Sequence, residues 1–190
     1  MEANDYIKNS IELKQKILND EKIISLLDEI VFVIVNAYKN GGKVLAAGNG
    51  GSAADAQHVC GELVSKFFIE RPALNAYALT TNSSILTSIS NDLGYENIFS
   101  RQINAQGKKG DVFIAISTSG NSPNIVNAVI EAKKIGLITV GLTGLKSAKM
   151  DEYCDFLIKV PSDVTPLIQE SHLMLEHIIC AKVEEEIFRE

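Results

Sequence analysis

Long hydrophobic runs are missing from this 190-residue sequence. A helix that spans a bilayer needs about 20 consecutive apolar residues, and the longest candidates, 30–35 and 112–116, end far too early. The sequence has no internal period, which excludes repeat and collagen-like folds. Its first five residues are acidic and polar, unlike a signal peptide. We therefore expect a cytoplasmic protein with no membrane partner.

Cysteine and positive charge are also scarce. Cys60, Cys154 and Cys180 are an odd number and form no paired motif, which indicates a reducing compartment and buried, unpaired thiols. The formal net charge of −6 argues against nucleic-acid binding, because that function needs a basic face to neutralise phosphates. An anionic ligand would have to be held by backbone donors and hydroxyl groups.

The 46% hydrophobic content is that of an ordinary globular protein, and a chain of this length can fold without disulfides or a structural metal. Helical patterns over 6–18 and 21–38 predict an N-terminal helical hairpin. No linker rich in proline, glycine or serine divides the chain. We expect a single domain over 1–190, with the N-terminal helices in 1–40 and an α/β core with a C-terminal helix in 41–190.

The middle of the chain alternates short apolar runs with helical patterns. The expected strands are 43–47, 75–79, 111–116, 138–142 and 156–160. The expected helices are 53–69, 83–90, 98–105, 123–135 and a last one over about 165–188. Near-continuous apolar strands are typical of parallel sheets covered on both faces. The prediction is an α/β protein, a three-layer α-β-α sandwich with a five-stranded parallel sheet.

The wide apolar stripe of the helix over 21–38 allows two interpretations. It packs against the protein's own sheet, or it is covered by a symmetric copy of the chain. The sequence pattern alone leaves both open.

A glycine-rich segment over 48–55 lies between an expected strand and an expected helix. Gly50 and Gly51 allow a ligand to approach the backbone closely, and Ser52 is placed to cap the helix. The segment has neither the dinucleotide-binding spacing nor a P-loop ending. It is either an anion site at a helix N-terminus or a tight turn with an ordinary cap.

A second segment of the same kind follows the third expected strand. It carries the hydroxyl groups of Ser117, Thr118, Ser119 and Ser122, directly before Pro123. Hydroxyl and backbone N–H groups can donate to phosphate oxygens without adding charge. Because ligands of open parallel sheets bind at the carboxyl ends of the strands, the two segments together predict an anionic-ligand site.

Two helix faces carry groups suited to chemistry. Asp55, His58 and Glu62 fall on one face of the third expected helix, and Gln169 and His177 fall on one face of the last. If the faces meet, a carboxylate and an imidazole can move a proton between adjacent carbons, or hold a metal. The alternatives are a solvated polar face and a core histidine. His172 points elsewhere, and we expect it at the surface or an interface.

The motifs and their order resemble those of the sugar isomerase (SIS) domain family, and within it the phosphoheptose isomerases. The segments that carry the resemblance are 48–58, 62–63, 78–81, 91–95, 99–102, 117–124 and 168–170. The resemblance implies a flavodoxin-like SIS fold, a homotetramer and no organic cofactor. It also implies a phosphosugar substrate and the isomerisation of sedoheptulose 7-phosphate to D-glycero-D-manno-heptose 7-phosphate, for lipopolysaccharide or capsule heptose.

The same resemblance assigns roles to individual residues. Glu62 matches the general base and His177 its acid/base partner. The substrate-binding positions, including the phosphate loops and the sugar contacts, are Asn49, Gly50, Gly51, Ser52, Glu62, Asn91, Asp92, Ser117, Thr118, Ser119, Ser122 and Gln169. The ligand set of the zinc found in some members is matched by His58, Glu62, Gln169 and His177.

The sequence departs from the family pattern at Lys66, Asn82, Pro166 and Leu167, and in the loop 144–149. No departure removes a residue matched to catalysis, which favours an enzyme. Three other hypotheses remain: a non-catalytic module that binds a replication initiator, a sugar-phosphate sensor, and an isomerase of another phosphosugar.

Overall fold

The computed structural model describes residues 2–189. Its helices are α1 (Ala3–Leu18), α2 (Glu21–Lys39), α3 (Gly51–Val64), α4 (Ser83–Leu93), α5 (Ser100–Gln106), α6 (Pro123–Ile135) and α7 (Thr165–Phe188). Its strands are β1 (Val44–Gly48), β2 (Ala76–Ala78), β3 (Val112–Ile116), β4 (Ile138–Thr143) and β5 (Phe156–Lys159). Short 3-10 turns cover Tyr95–Asn97 and Lys149–Glu152.

The five strands form one parallel sheet in the order β2-β1-β3-β4-β5. Every residue of β1 and β3 is buried, as the near-continuous apolar runs predicted. Helices cover both faces of the sheet, so the predicted three-layer α/β architecture is confirmed. No helix within residues 2–189 is long and apolar enough to cross a membrane.

The sheet separates two apolar cores. On one face α2, α3 and α7 pack together through residues such as Ile34, Leu63 and Ile179. On the other face α5 and α6 pack through residues such as Ile103 and Val129. Since α3 and α7 share one core, side chains on their facing surfaces are brought together although more than 100 residues separate them.

The apolar stripe of α2 is covered by the protein's own core, with Ile30 and Ile34 fully buried. The interpretation that the stripe packs on its own sheet is therefore right. Other large apolar side chains of the first two helices remain exposed in the single chain, among them Ile7, Ile11 and Phe32.

Helix α3 differs from its prediction at both ends. It begins at Gly51, two residues earlier than expected, because Gly50 turns the chain with a φ of 56°. Gly50 is the N-cap residue and no side chain caps the helix, so the prediction that Ser52 is the cap is wrong. The helix ends at Val64 instead of residue 69, because the backbone N–H groups over 67–69 donate to the Glu184 carboxylate.

His172 is fully buried, so the expectation that it lies at the surface or an interface is wrong. Its Nε2 lies 3.2 Å from the backbone oxygen of Thr143 at the end of β4. Burial lowers the pKa of His172 to about 4, and the imidazole is therefore neutral at pH 7. The cysteines are unpaired, with Cys60 and Cys180 buried as expected and Cys154 half-buried.

Candidate functional site

The two polar loops predicted from the sequence lie side by side at the carboxyl edge of the sheet. Because β1 pairs with β3, the strand ends at Gly48 and Ile116 are neighbours. Asn49 and Asn124 join the loops through two reciprocal amide hydrogen bonds of 2.8 and 2.9 Å. The Tyr95 hydroxyl donates to the Asn49 side-chain oxygen at 3.1 Å. The glycine-rich loop is thus fixed to the start of α6.

The loop after β3 presents hydroxyl groups around a tight turn. The Ser117 and Ser122 oxygens lie 3.2 Å apart, and Ser119 is exposed. Ser122 occupies the N-cap position of α6, yet its hydroxyl does not cap the helix. Gly120, with a φ of 63°, is required at the turn because a Cβ there would lie 2.5 Å from the Ala148 Cβ. The arrangement leaves backbone and hydroxyl donors available for an anion.

A cleft of about 280 Å³ opens beside this loop. Its walls are the loop itself and the segments 144–147 and 162–165. Thr118 and Ser119 line the cleft, together with Lys146 and Asp163, whose charged groups lie 3.8 Å apart. Two of the predicted phosphate-binding residues, Thr118 and Ser119, therefore border a cavity that is open to solvent.

His58, Glu62 and His177 meet between α3 and α7. The Nε2 atoms of the two histidines are 2.8 Å apart, and His58 Nε2 is 3.3 Å from a Glu62 carboxylate oxygen. One ligand atom from each residue lies within 4.8 Å of the others. Two imidazole nitrogens and a carboxylate oxygen at this spacing match the donor set that zinc prefers. These three residues form a group that can hold a metal ion.

Gln169, the fourth predicted metal ligand, lies against the start of α3. A Cβ at Gly51 would overlap its side-chain amide. A residue with a side chain at position 51 would displace Gln169. The absence of a side chain at Gly51 thus lets α7 approach the glycine-rich loop.

Asn91 and Asp92 lie at the exposed end of α4, where the Asn91 amide donates to Asp92 at 2.7 Å. Their predicted contact with the sugar chain stays a prediction. Ser52, by contrast, is buried in the first turn of α3, directly after the glycine-rich loop.

Two buried carboxyl groups lie next to the histidines in the chain: Glu176 directly precedes His177, and Asp55 lies three residues before His58. Glu176 is 1% exposed and neither of its oxygens has a hydrogen-bond partner. Burial, with a contribution from the Asp55 charge, raises the pKa of Glu176 to about 8. Burial also raises the pKa of Asp55 to about 6, while His58 and Gln169 act in the opposite direction. Glu176 is therefore mostly protonated at pH 7.

Glu176 was missed by the sequence analysis, as was Arg71, whose guanidinium contacts the end of α3. A glutamate in the last helix resembles an ordinary surface charge in sequence. The sequence offered one signal: Glu176 lies one residue before His177 and one turn before Cys180, which is buried.

Comparison with known proteins places these features in a class. The profile of the SIS domain matches residues 5–144 of this chain. The fold, the hydroxyl-rich loop and the sheet edge are therefore those of a SIS-domain protein.

Comparison with individual proteins defines a narrower family within this class. The chain is 56% identical over 190 residues to a phosphoheptose isomerase of Aneurinibacillus thermoaerophilus, covering 98% of this chain and 96% of the relative. It is 56% identical to phosphoheptose isomerase 2 of Campylobacter jejuni, with coverages of 97% and 94%. A solved phosphoheptose isomerase from Francisella tularensis superposes with a TM-score of 0.92 at 34% identity, and one from Neisseria gonorrhoeae with 0.89 at 37%; each alignment covers 96% of both chains. The chain belongs to the phosphoheptose isomerase family.

The raised pKa of Glu176 predicts a loss of stability with rising pH. A carboxyl group whose pKa is higher in the folded state binds more protons when folded, so the free energy of unfolding falls between the two pKa values. For Glu176 this window runs from about 4.5 to about 8. From pH 6.5 to 8, above the windows of Asp55 and His172, we expect a loss of about 1–2 kcal/mol.

Denaturant unfolding in the presence of a chelator measures this loss. Glu176→Gln should remove most of it, whereas Glu186→Gln, at an exposed position of the same helix, should retain it. If the free energy of unfolding of Glu176→Gln still falls as steeply between pH 6.5 and 8, the raised pKa of Glu176 is contradicted.

Proposed function

We propose that this chain isomerises sedoheptulose 7-phosphate to D-glycero-D-manno-heptose 7-phosphate, an aldose–ketose isomerisation that supplies heptose for lipopolysaccharide or capsule. The observation that carries the proposal is the meeting of His58, Glu62 and His177 between α7 and α3, the helix that begins at the glycine-rich loop. Relatives with more than half of their residues identical bear the name of this activity. We further propose a single domain over 1–190, located in the cytoplasm.

Phosphate recognition is assigned to the two loops. Ser52 and the backbone of 49–51 form one side, and Ser117, Thr118, Ser119 and Ser122 form the other. The chain carries a net charge of −6, so neutral donors and helix N-termini, rather than a basic patch, favour the phosphate. Asn91, Asp92 and Gln169 are assigned to the hydroxyl groups of the sugar.

Proton transfer is assigned to Glu62 and His177. The reaction takes a proton from carbon 1 of the ketose and returns a proton to carbon 2, through a cis-enediol. Glu62 is the base for this transfer. His177 serves the two oxygens, because imidazole nitrogens can both donate and accept protons. Its ring is held in place by the His58 and Phe67 rings.

A zinc ion is proposed at His58, Glu62 and His177, with Gln169 as the fourth ligand. The first three residues fit the ion in number, chemistry and spacing. When bound, zinc would change this division of labour, because it would polarise the carbonyl group of the substrate and stabilise the negative charge of the enediolate.

The role of Glu62 is tested by Glu62→Gln. The substitution keeps the shape of the side chain and removes the base, so the isomerisation rate should fall by about 10²–10⁴-fold. A coupled assay with a panel of ketose phosphates measures the rate and identifies the preferred substrate. Glu70→Gln, at an exposed position beyond α3, is the control and should keep full activity. Full activity in Glu62→Gln would show that the base is another group.

The phosphate site is tested by Ser119→Ala and Ser122→Ala. Each should weaken substrate binding by about 1–3 kcal/mol, the usual value of a hydrogen bond to a charged group. Titration calorimetry measures the affinity directly. Ser88→Ala is the control, because its hydroxyl bonds a carbonyl of its own helix. Unchanged affinity in both test variants would place the phosphate elsewhere.

We propose a homotetramer, in which a neighbouring chain completes the site. In the single chain, 43% of the His58 side chain and 25% of the Glu62 side chain are exposed. Large apolar side chains also lie uncovered, including Phe32 on α2 and Phe68 just after α3. Burial of such surface is the usual driving force for symmetric assembly.

Light scattering tests this assembly. The expected result is four times the mass of one chain over a concentration series, because the exposed apolar surface favours association. A mass equal to one chain at working concentrations would contradict it.

A further inference from the structure

A buried ion pair joins α7 to the segment that follows α3. Arg71 Nε lies 2.8 Å from a Glu184 carboxylate oxygen, and the two side chains are only 1% and 3% exposed. The Glu184 carboxylate also accepts the backbone N–H groups of Phe67, Phe68 and Ile69 at 2.6–3.0 Å. These donors lower the pKa of Glu184 to about 2, so the pair stays charged over any working pH.

The guanidinium of Arg71 also holds the backbone of Glu62. Its Nη2 donates to the Glu62 carbonyl and its Nη1 to the Leu63 carbonyl, both at 2.9 Å. Because α3 ends at Val64, neither carbonyl has its helical partner, and the Leu63 carbonyl also accepts the Leu74 N–H at 3.2 Å. The guanidinium also donates to the Pro72 carbonyl at 3.1 Å, and its planar, multiply donating group fixes these acceptors in one geometry, which a lysine cannot do.

The carboxylate of Glu184 is connected to His177 through Phe67. The Phe67 N–H that it accepts fixes a side chain whose ring packs on His177, with ring centroids 5.6 Å apart. Glu184 follows His177 by seven residues, two turns along the same face of α7. One ion pair is therefore connected to Glu62 through Arg71 and to His177 through Phe67.

We propose that the Arg71–Glu184 pair is a positioning element that sets Glu62 against His177. The proposal rests on the roles given to these two residues under the proposed function. Arg71 and Glu184 touch no substrate atom in this account; they hold the end of α3 at a fixed place along α7. Since a displacement of about 1 Å can cost about 100-fold in rate, such a constraint matters for turnover.

Arg71→Lys tests the proposal through the separate kinetic constants. The lysine can pair with Glu184 but cannot hold both carbonyls, so kcat should fall about 10- to 100-fold. KM should change less than twofold, because the phosphate loops follow β1 and β3 and do not contact the pair. A kcat equal to that of the unsubstituted protein would overturn the proposal.

Lys43→Met is the matched control for a merely structural role. Lys43 forms an ion pair with Asp111 at the start of β1 and β3, with side chains 13% and 3% exposed, and Asp111 also accepts two backbone N–H groups. The control should lose stability while its kcat stays within twofold, with each variant assayed well below its melting temperature. A control that loses as much kcat as Arg71→Lys for the same stability loss would also overturn the proposal.

A spectroscopic readout is independent of activity. The chain has three histidines, so imidazole ¹⁵N NMR resolves each ring. Arg71→Lys should shift the His177 and His58 signals and leave that of buried His172 in place; Lys43→Met should leave all of them. Unmoved His177 signals in Arg71→Lys would contradict the proposal.

If Arg71→Lys fails to fold, Phe67→Leu tests the connection to His177 by the same measurements. If the unsubstituted protein shows no isomerase activity, the proposed function is refuted. The positioning proposal is still tested by the NMR measurement, because that measurement needs no turnover.

Discussion

The packing of α3 against α7 is the contact on which the candidate site depends. Val59 and Leu63 from α3 and Ile179 from α7 belong to one buried core. That core brings His58 and His177 to 2.8 Å although 119 residues separate them. The proposed acid and base exist as a pair only when the two helices are docked, and the Arg71–Glu184 pair fixes where along α7 the docking occurs.

Helix α3 also connects the two functions of the site. Its first turn carries Ser52, beside the glycine-rich loop, and its fourth carries Glu62. At a rise of about 1.5 Å per residue, these positions lie about 15 Å apart along the axis. The phosphate and the reacting carbons are at opposite ends of a heptose 7-phosphate. One rigid helix that begins at the proposed phosphate loop and carries the proposed base near its end suits such a substrate.

Features encoded in neighbouring residues could be predicted from the sequence. The five strands appear as near-continuous apolar runs, and the spacing of His58 and Glu62 places both on one helix face. The end of α3 could not be predicted, because it depends on Glu184, more than 100 residues away. His172 was misplaced since apolar residues occur on all sides of α7, and the pattern does not distinguish its faces. Glu176 was missed because burial of a glutamate is a tertiary property.

Proton exchange with solvent is the most direct test of isomerisation through an enediol, with Glu62 as the proposed base. The purified protein is incubated with sedoheptulose 7-phosphate in D₂O, and the product is followed by NMR. The expected product is an aldose heptose 7-phosphate that carries deuterium at carbon 2, because the base exchanges its proton with solvent during turnover. No aldose product, or an aldose formed without any deuterium at carbon 2, would contradict this mechanism.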